Sequence, residues 1–158
     1  MSRATLERAV PRGERILLDT STLISYLGAP DAVTPLATHV VNDWVRGARN
    51  SAVVSMVTAM EVLVGPLTVG PGEEYLHVKD FLERFPNLKA EPIDLAVAEE
   101  AASLRAQHKF RTPDALVIGT GLVTQVAHLV TNDDEWKKKL AWIGARVKVC
   151  LLKDHLPL

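Results

Sequence analysis

A chain of 158 residues, 47% apolar and 23% charged, has the length and balance of one domain that buries its own core, which excludes disordered and low-complexity classes. Its formal net charge of −1 excludes a chain-wide basic footprint, so a polyanion has to be met by local basic clusters or by bound cations. The single cysteine, Cys150, has no internal disulfide partner, and its apolar run at 147–152 predicts a buried strand thiol in a reducing, cytoplasmic setting.

The opening segment MSRATLERAVPRGER is broken by charges and lacks the apolar core of a secretory signal. Residues 1–14 therefore read as an N-terminal extension, a solvated terminal arm ahead of a domain spanning 15–158. No later run reaches the ~18 apolar residues of a membrane span, which predicts a soluble protein with no membrane partner.

Residues 15–18 (RILL) form a short apolar run ending at Asp19, and the Ser/Thr cluster that follows caps a helix. A second helix is predicted over 35–48, with Leu36, Val40 and Trp44 on one face, and 52–56 reads as the next strand. Thr58 then caps a helix carrying residues 60–64, with Glu61 in its first turn, and Gly65-Pro66 stops it. Tyr75, Val78, Leu82 and Phe85 recur at helical spacing over 73–85, and 88–93 alternates in roughly strand fashion. The alanine-rich stretch 94–108 favours helix. Thr112-Pro113-Asp114 reads as N-cap, proline at the first helical position and an acid in the first turn of a helix running to about Thr124, with Gly119 and Gly121 allowing close approach to a sheet. The strand 127–131 follows, then the acidic turn Asn132-Asp133-Asp134 and a last strand at 147–152. Strands separated by helices imply right-handed crossovers and an α/β fold, a three-layer α/β/α sandwich with a mainly parallel central sheet.

In such a sheet, ligands bind beyond the carboxyl ends of the strands, where loops and helix N-termini converge. Asp19 ends the first strand, Glu61 opens the helix after the second, Asp114 opens a late helix and Asp133 closely follows the strand ending in Thr131, so all four fall at that edge. Taken singly, each is also what a cap or macrodipole partner looks like, and Glu61 also fits an exposed helix position. Four acids at one edge repel one another unless cations neutralise them, and oxygen-only donors suit Mg²⁺ or Mn²⁺. Two such ions about 4 Å apart activate water for in-line attack on a phosphodiester.

The motifs LLDTSTLISYL at 17–27, TAMEVLVG at 58–65, RTPDALVIGTGL at 111–122 and LVTNDDEW at 129–136 together resemble the PIN domain, most of all the VapC toxins of type II toxin–antitoxin pairs. Order and context match over nearly the whole chain. The resemblance maps Asp19, Glu61, Asp114 and Asp133 to the metal-site acids, and Ser21 and Thr131 to hydroxyl positions that assist them. Asp134, beside Asp133, reads as a helix cap or a reserve ligand. The resemblance also implies a Mg²⁺- or Mn²⁺-dependent endoribonuclease, usually a homodimer, acting on RNA and inhibited by an antitoxin protein. The fourteen residues ahead of the first strand depart from the usual family start.

Lys109 and Arg111 flank Asp114, and Lys137, Lys138 and Lys139 follow Asp133; Arg111 is the better phosphate candidate, whereas the lysine triplet reads first as an exposed helix face. The five histidines show no zinc-ligand spacing, and Trp44, Trp136 and Trp142 sit among apolar neighbours as packing residues. A haloacid-dehalogenase-type phosphatase is a poor alternative, because Asp19-Thr20-Ser21-Thr22-Leu23 lacks the second acid of D-x-D-x-T. A stand-alone RNA-processing nuclease and a non-catalytic RNA- or protein-binding PIN-like module are the remaining alternatives.

Overall fold

The computed structural model describes residues 2–157. Strand residues alternate faces, and this alternation splits the interior into two apolar layers. Ile16 and Leu18 of β1 (Ile16–Leu18), Ala52 and Val54 of β2 (Ala52–Ser55) and Val130 of β4 (His128–Thr131) enter one core, while Leu17, Val53 and Leu129 enter the other. With β3 (Leu88–Glu91) and β5 (Lys148–Leu151) the strands form one parallel sheet in the order β3-β2-β1-β4-β5. Cys150 lies buried on β5, as its apolar run predicts.

Helices cover both faces, as the alternation of elements predicts. The first core gathers residues of α1 (Ser2–Ala9), α2 (Thr20–Leu27), α3 (Thr34–Thr38) and α5 (Glu73–Arg84). The second gathers α6 (Leu95–Gln107), α7 (Thr112–Val123) and α8 (Glu135–Ala141). The chain steps outward from β1 to β3 and then returns to lay β4 on the free side of β1, so the strand order reverses between β1 and β4. That reversal opens a crevice at their carboxyl ends. Gly121 lets α7 approach the sheet, since a Cβ there would lie 3.0 Å from Leu17 Cδ2 and 2.9 Å from Val126 Cγ2. Gly119 instead faces α6, where a Cβ would meet the Ala101 backbone nitrogen at 3.3 Å.

Several elements differ from the sequence reading. The N-terminal segment is no solvated arm: it forms α1, whose Leu6, together with Val10 just beyond the helix, is fully buried. Arg49 donates to the carbonyls of Glu7 and Val10 at 3.0 and 2.8 Å, and Asn50 Nδ2 donates to those of Pro11 and Glu14 at 2.8 Å each. The predicted helix over 35–48 begins as α3 and widens into a π-helix over His39–Arg46, where the Arg49 N–H reaches back five residues to the Trp44 carbonyl; Leu36, Val40 and Trp44 are nonetheless buried as expected.

The largest boundary error concerns α4 (Met56–Val69). It is capped by Ser55 rather than Thr58, and it runs through Gly65-Pro66 to Gly70. Proline at 66 removes only its own donor; the chain continues, the Thr68 hydroxyl caps the Val64 carbonyl at 2.8 Å, and the turn comes at Gly70, whose φ is 127°. Glu61 thus sits in the second turn, not the first. The N-cap of α7 is Arg111, with Thr112 and Pro113 inside the first turn. Helix α8, read from sequence only as an acidic turn with a charged face, buries Trp136 and Leu140.

Candidate active site

At the carboxyl ends of β1 and β4 lies a cleft of about 270 Å³ lined by Asp19, Glu61, Asp114 and Asp133 among others. Asp19 ends β1, and its backbone carbonyl receives the Thr22 and Leu23 N–H groups, which leaves the carboxylate free to face the cleft. It is only 7% exposed. The Thr131 hydroxyl donates to Asp19 Oδ2 at 2.7 Å and the Ser21 hydroxyl to the same oxygen at 3.1 Å. The T-x-D spacing serves this bond: the Asp133 N–H donates to Thr131 Oγ1 at 3.0 Å, and the Asn132 N–H donates to Ser21 Oγ at 2.9 Å. One turn of backbone therefore fixes both hydroxyls, and they fix Asp19.

Burial pushes the Asp19 carboxyl above its ordinary value, against the hydrogen bonds from Thr131, Ser21 and the Thr20 N–H, and the nearby Asp133 charge adds to the rise. Glu61 reaches the cleft from α4. Its pKa is raised as well, by desolvation and by the charges of Asp19 and Asp114, with the Thr20 hydroxyl opposing from 3.3 Å. Thr20 is itself 3.1 Å from the buried Thr58 hydroxyl, so a pair of threonines from α2 and α4 orients Glu61. Thr20 escapes the sequence reading although it adjoins Asp19, and Thr58 reads there only as a helix cap, three positions before Glu61.

Asp133 Oδ1 accepts the Glu135 N–H at 3.0 Å and so also caps α8, which gives that residue the bland role as well as a place in the cleft. Asp134 does not line the cleft; its carboxylate pairs with Lys153 on the surface. Arg111 is exposed at the start of α7 and is not among the cleft residues. The cation in the site is Lys139. Its Nζ is 2.9 Å from Asp114 Oδ2 and 5.0 Å from the centre of the Trp136 ring. Burial works to discharge the ammonium, but the hydrogen bond and charge of Asp114 outweigh it and raise its pKa. The three lysines diverge, since Lys137 turns away to Asp154 at 2.6 Å.

The donor set suits a hard divalent cation: every lining side chain able to ligate offers oxygen, and burial and neighbouring acids raise the pKa of Asp19 and Glu61. The four carboxylates surround the cleft without converging. Among the described residues no three His, Cys, Asp or Glu side chains already stand close enough to hold one ion.

A parallel sheet whose strand order reverses beside an acid-lined cleft defines an α/β protein with its candidate site at the switch point. The chain belongs to the PIN domain family, which matches residues 16–140. Comparison with curated protein sequences gave no match. Among solved structures, the chain is similar to a toxin–antitoxin complex from Klebsiella pneumoniae, with a TM-score of 0.64 and 23% identity, covering 87% of this chain and 97% of that one. It is similar to FitAcB from Neisseria gonorrhoeae, with a TM-score of 0.63 and 20% identity over 87% of this chain and 98% of the other. The sarcin–ricin-loop-cleaving toxin VapC20 of Mycobacterium tuberculosis gives a TM-score of 0.63 at 13% identity, over 78% and 93% of the two chains. At these identities the likeness is one of fold. No helix among the described residues is long and apolar enough to cross a membrane.

Proposed function

We propose that this chain is a metal-dependent endoribonuclease and the toxin of a VapBC-type toxin–antitoxin pair, acting in the cytoplasm with Mg²⁺ or Mn²⁺. The observation that carries the reading is the meeting of Asp19, Glu61, Asp114 and Asp133 around one cleft at the β1/β4 reversal, with Asp19 held by two hydroxyls. Residues 15–158 form the catalytic unit in this reading. The four carboxylates hold the cation, which, when bound, supplies Lewis acidity toward a phosphodiester and lowers the pKa of water. Ser21 and Thr131 keep one oxygen of Asp19 aimed into the cleft. Glu61, with its raised pKa and its Thr20 bond, accepts the proton of the attacking water. Water's oxygen forms the new bond to phosphorus, the bond to the leaving ribose oxygen breaks, and that oxygen takes a proton from solvent to leave as the alcohol.

Beside the cleft, a second groove is lined by Leu23, Ile24, Leu27, Val62 and Pro66 and shares Ile24 and Glu61 with it. Met60, Val64 and Leu67 on α4 and Leu76 on α5 are exposed nearby. Apolar surface of this kind favours protein contact and supports the antitoxin and homodimer expectations. The experiment is cleavage of RNA by purified protein with Mn²⁺. Wild type cuts, whereas Asp114→Asn keeps the fold and does not; a wild-type protein that neither cuts RNA nor binds Mn²⁺ leaves the non-catalytic binding-module reading standing.

A further inference from the structure

Lys139 is the cation that α8 sets against the acidic cleft, paired with the lining residue Asp114 though not itself part of the lining. Its ammonium is fixed from two sides: 2.9 Å from Asp114 Oδ2, and over the face of Trp136, which is itself buried. The Lys139 and Asp114 side chains are only 17% and 22% exposed, so solvent screens the pair poorly compared with a surface ion pair. Among the described residues it is the one cationic side chain in hydrogen-bond contact with any of the four acids. Asp19 is aimed by hydroxyls, whereas the Asp114 carboxylate pairs with the Lys139 ammonium. The same four acids stand apart rather than converging.

We propose that Lys139 is a tethered counterion that occupies Asp114 and must be displaced from it when a divalent cation loads the cleft. The inference rests on the metal-binding reading above and deepens it. A divalent cation on Asp114 and an ammonium on the same carboxylate repel each other, so each lowers the other's affinity for that oxygen. The lysine holds the acid in place when the cleft is empty of metal and sets the metal concentration at which the site fills. Glu135, one turn earlier on α8 and 3.6 Å from Lys139 Nζ, is an alternative partner.

The test is calorimetric titration with Mn²⁺ of the wild type, Lys139→Met, Lys139→Arg and Lys137→Met. Methionine keeps an apolar stem on Trp136 and removes the charge. Lys139→Met should bind Mn²⁺ about fivefold tighter or more, while Lys139→Arg and Lys137→Met stay near wild type. Unchanged or weaker binding by Lys139→Met overturns the proposal, as does an equal gain in Lys137→Met, which marks a general charge effect. The wild type gives a second reading that needs no variant: Mn²⁺ should speed acetylation of Lys139 by acetic anhydride relative to Lys137, and an unchanged or slower rate overturns the proposal. A wild type that binds no Mn²⁺ fails the metal-dependent function itself; one that binds with no response at Lys139 fails only this inference.

Discussion

The two edges of the sheet treat charge in opposite ways. At the amino edge, Glu14 reaches His128, itself 4% exposed. There Asn50 ties two carbonyls of the N-terminal segment, and Arg15 donates to the Thr124 carbonyl at 2.7 Å. At the carboxyl edge, Asp19 and Glu61 keep pKa values raised by burial and by neighbouring acids, Asp133 for Asp19 and Asp19 with Asp114 for Glu61, and a single lysine answers four acids. The first edge is arranged for stability. The second tolerates electrostatic stress that a folded protein retains where it binds something of opposite charge.

Removing a cleft acid should sharpen this contrast most. Asp19→Asn should cut RNA cleavage by roughly a thousandfold, since a metal site contributes several kcal/mol to a phosphoryl-transfer barrier. The same change should raise the metal-free protein's stability by about 0.5–2 kcal/mol at neutral pH, read by denaturant unfolding. Loss of both activity and stability would mean that the carboxyl edge carries no such stress. At the amino edge, Asn50→Ala should cost about 1–3 kcal/mol by leaving the Pro11 and Glu14 carbonyls unpaired, with the cleavage rate of the folded fraction unchanged.

A smaller effect is expected from pH. The folded state holds the Asp19 and Glu61 protons to higher pH than the unfolded chain, whose values lie near the ordinary 3.8 and 4.5. Their contribution to stability is therefore fully present below those values and is lost as pH rises through the higher folded ones. Metal-free protein should lose unfolding free energy over that window, and Asp19→Asn/Glu61→Gln should not. The smallest effect belongs to Thr20→Val, which removes one hydrogen bond from Glu61. Cleavage should fall only about three- to tenfold, and a fall as large as that of Asp19→Asn would show that Thr20 does more than orient Glu61.

How far the sequence reveals this arrangement depends on whether a residue's position follows from chain direction alone. Asp19 is legible because it stands where a parallel strand must hand over to a loop, and Asp114 because Thr112-Pro113 marks the start of its helix. The choice of Asp133 over Asp134 rests on T-x-D spacing, and the Asp133 N–H bond to Thr131 gives that spacing its physical reason. Lys139 is not legible, since its direction depends on Trp136 turning inward and on how α8 leaves β4. Helix α1 did leave a signal, Leu6 and Val10 four residues apart, but the charges between them mask it. The length of α4 was obscured by Gly65-Pro66, which reads as a stop, although in α4 the proline removes only the one bond its own N–H would have made.

The account depends on a divalent cation joining the carboxylates around the β1/β4 cleft. Calorimetric titration of the wild type and Asp19→Asn with Mn²⁺ tests it directly. Saturable binding by the wild type, accompanied by a rise in its unfolding temperature and strongly weakened in Asp19→Asn, is the predicted result. Equal binding by both proteins, or none by the wild type, contradicts it.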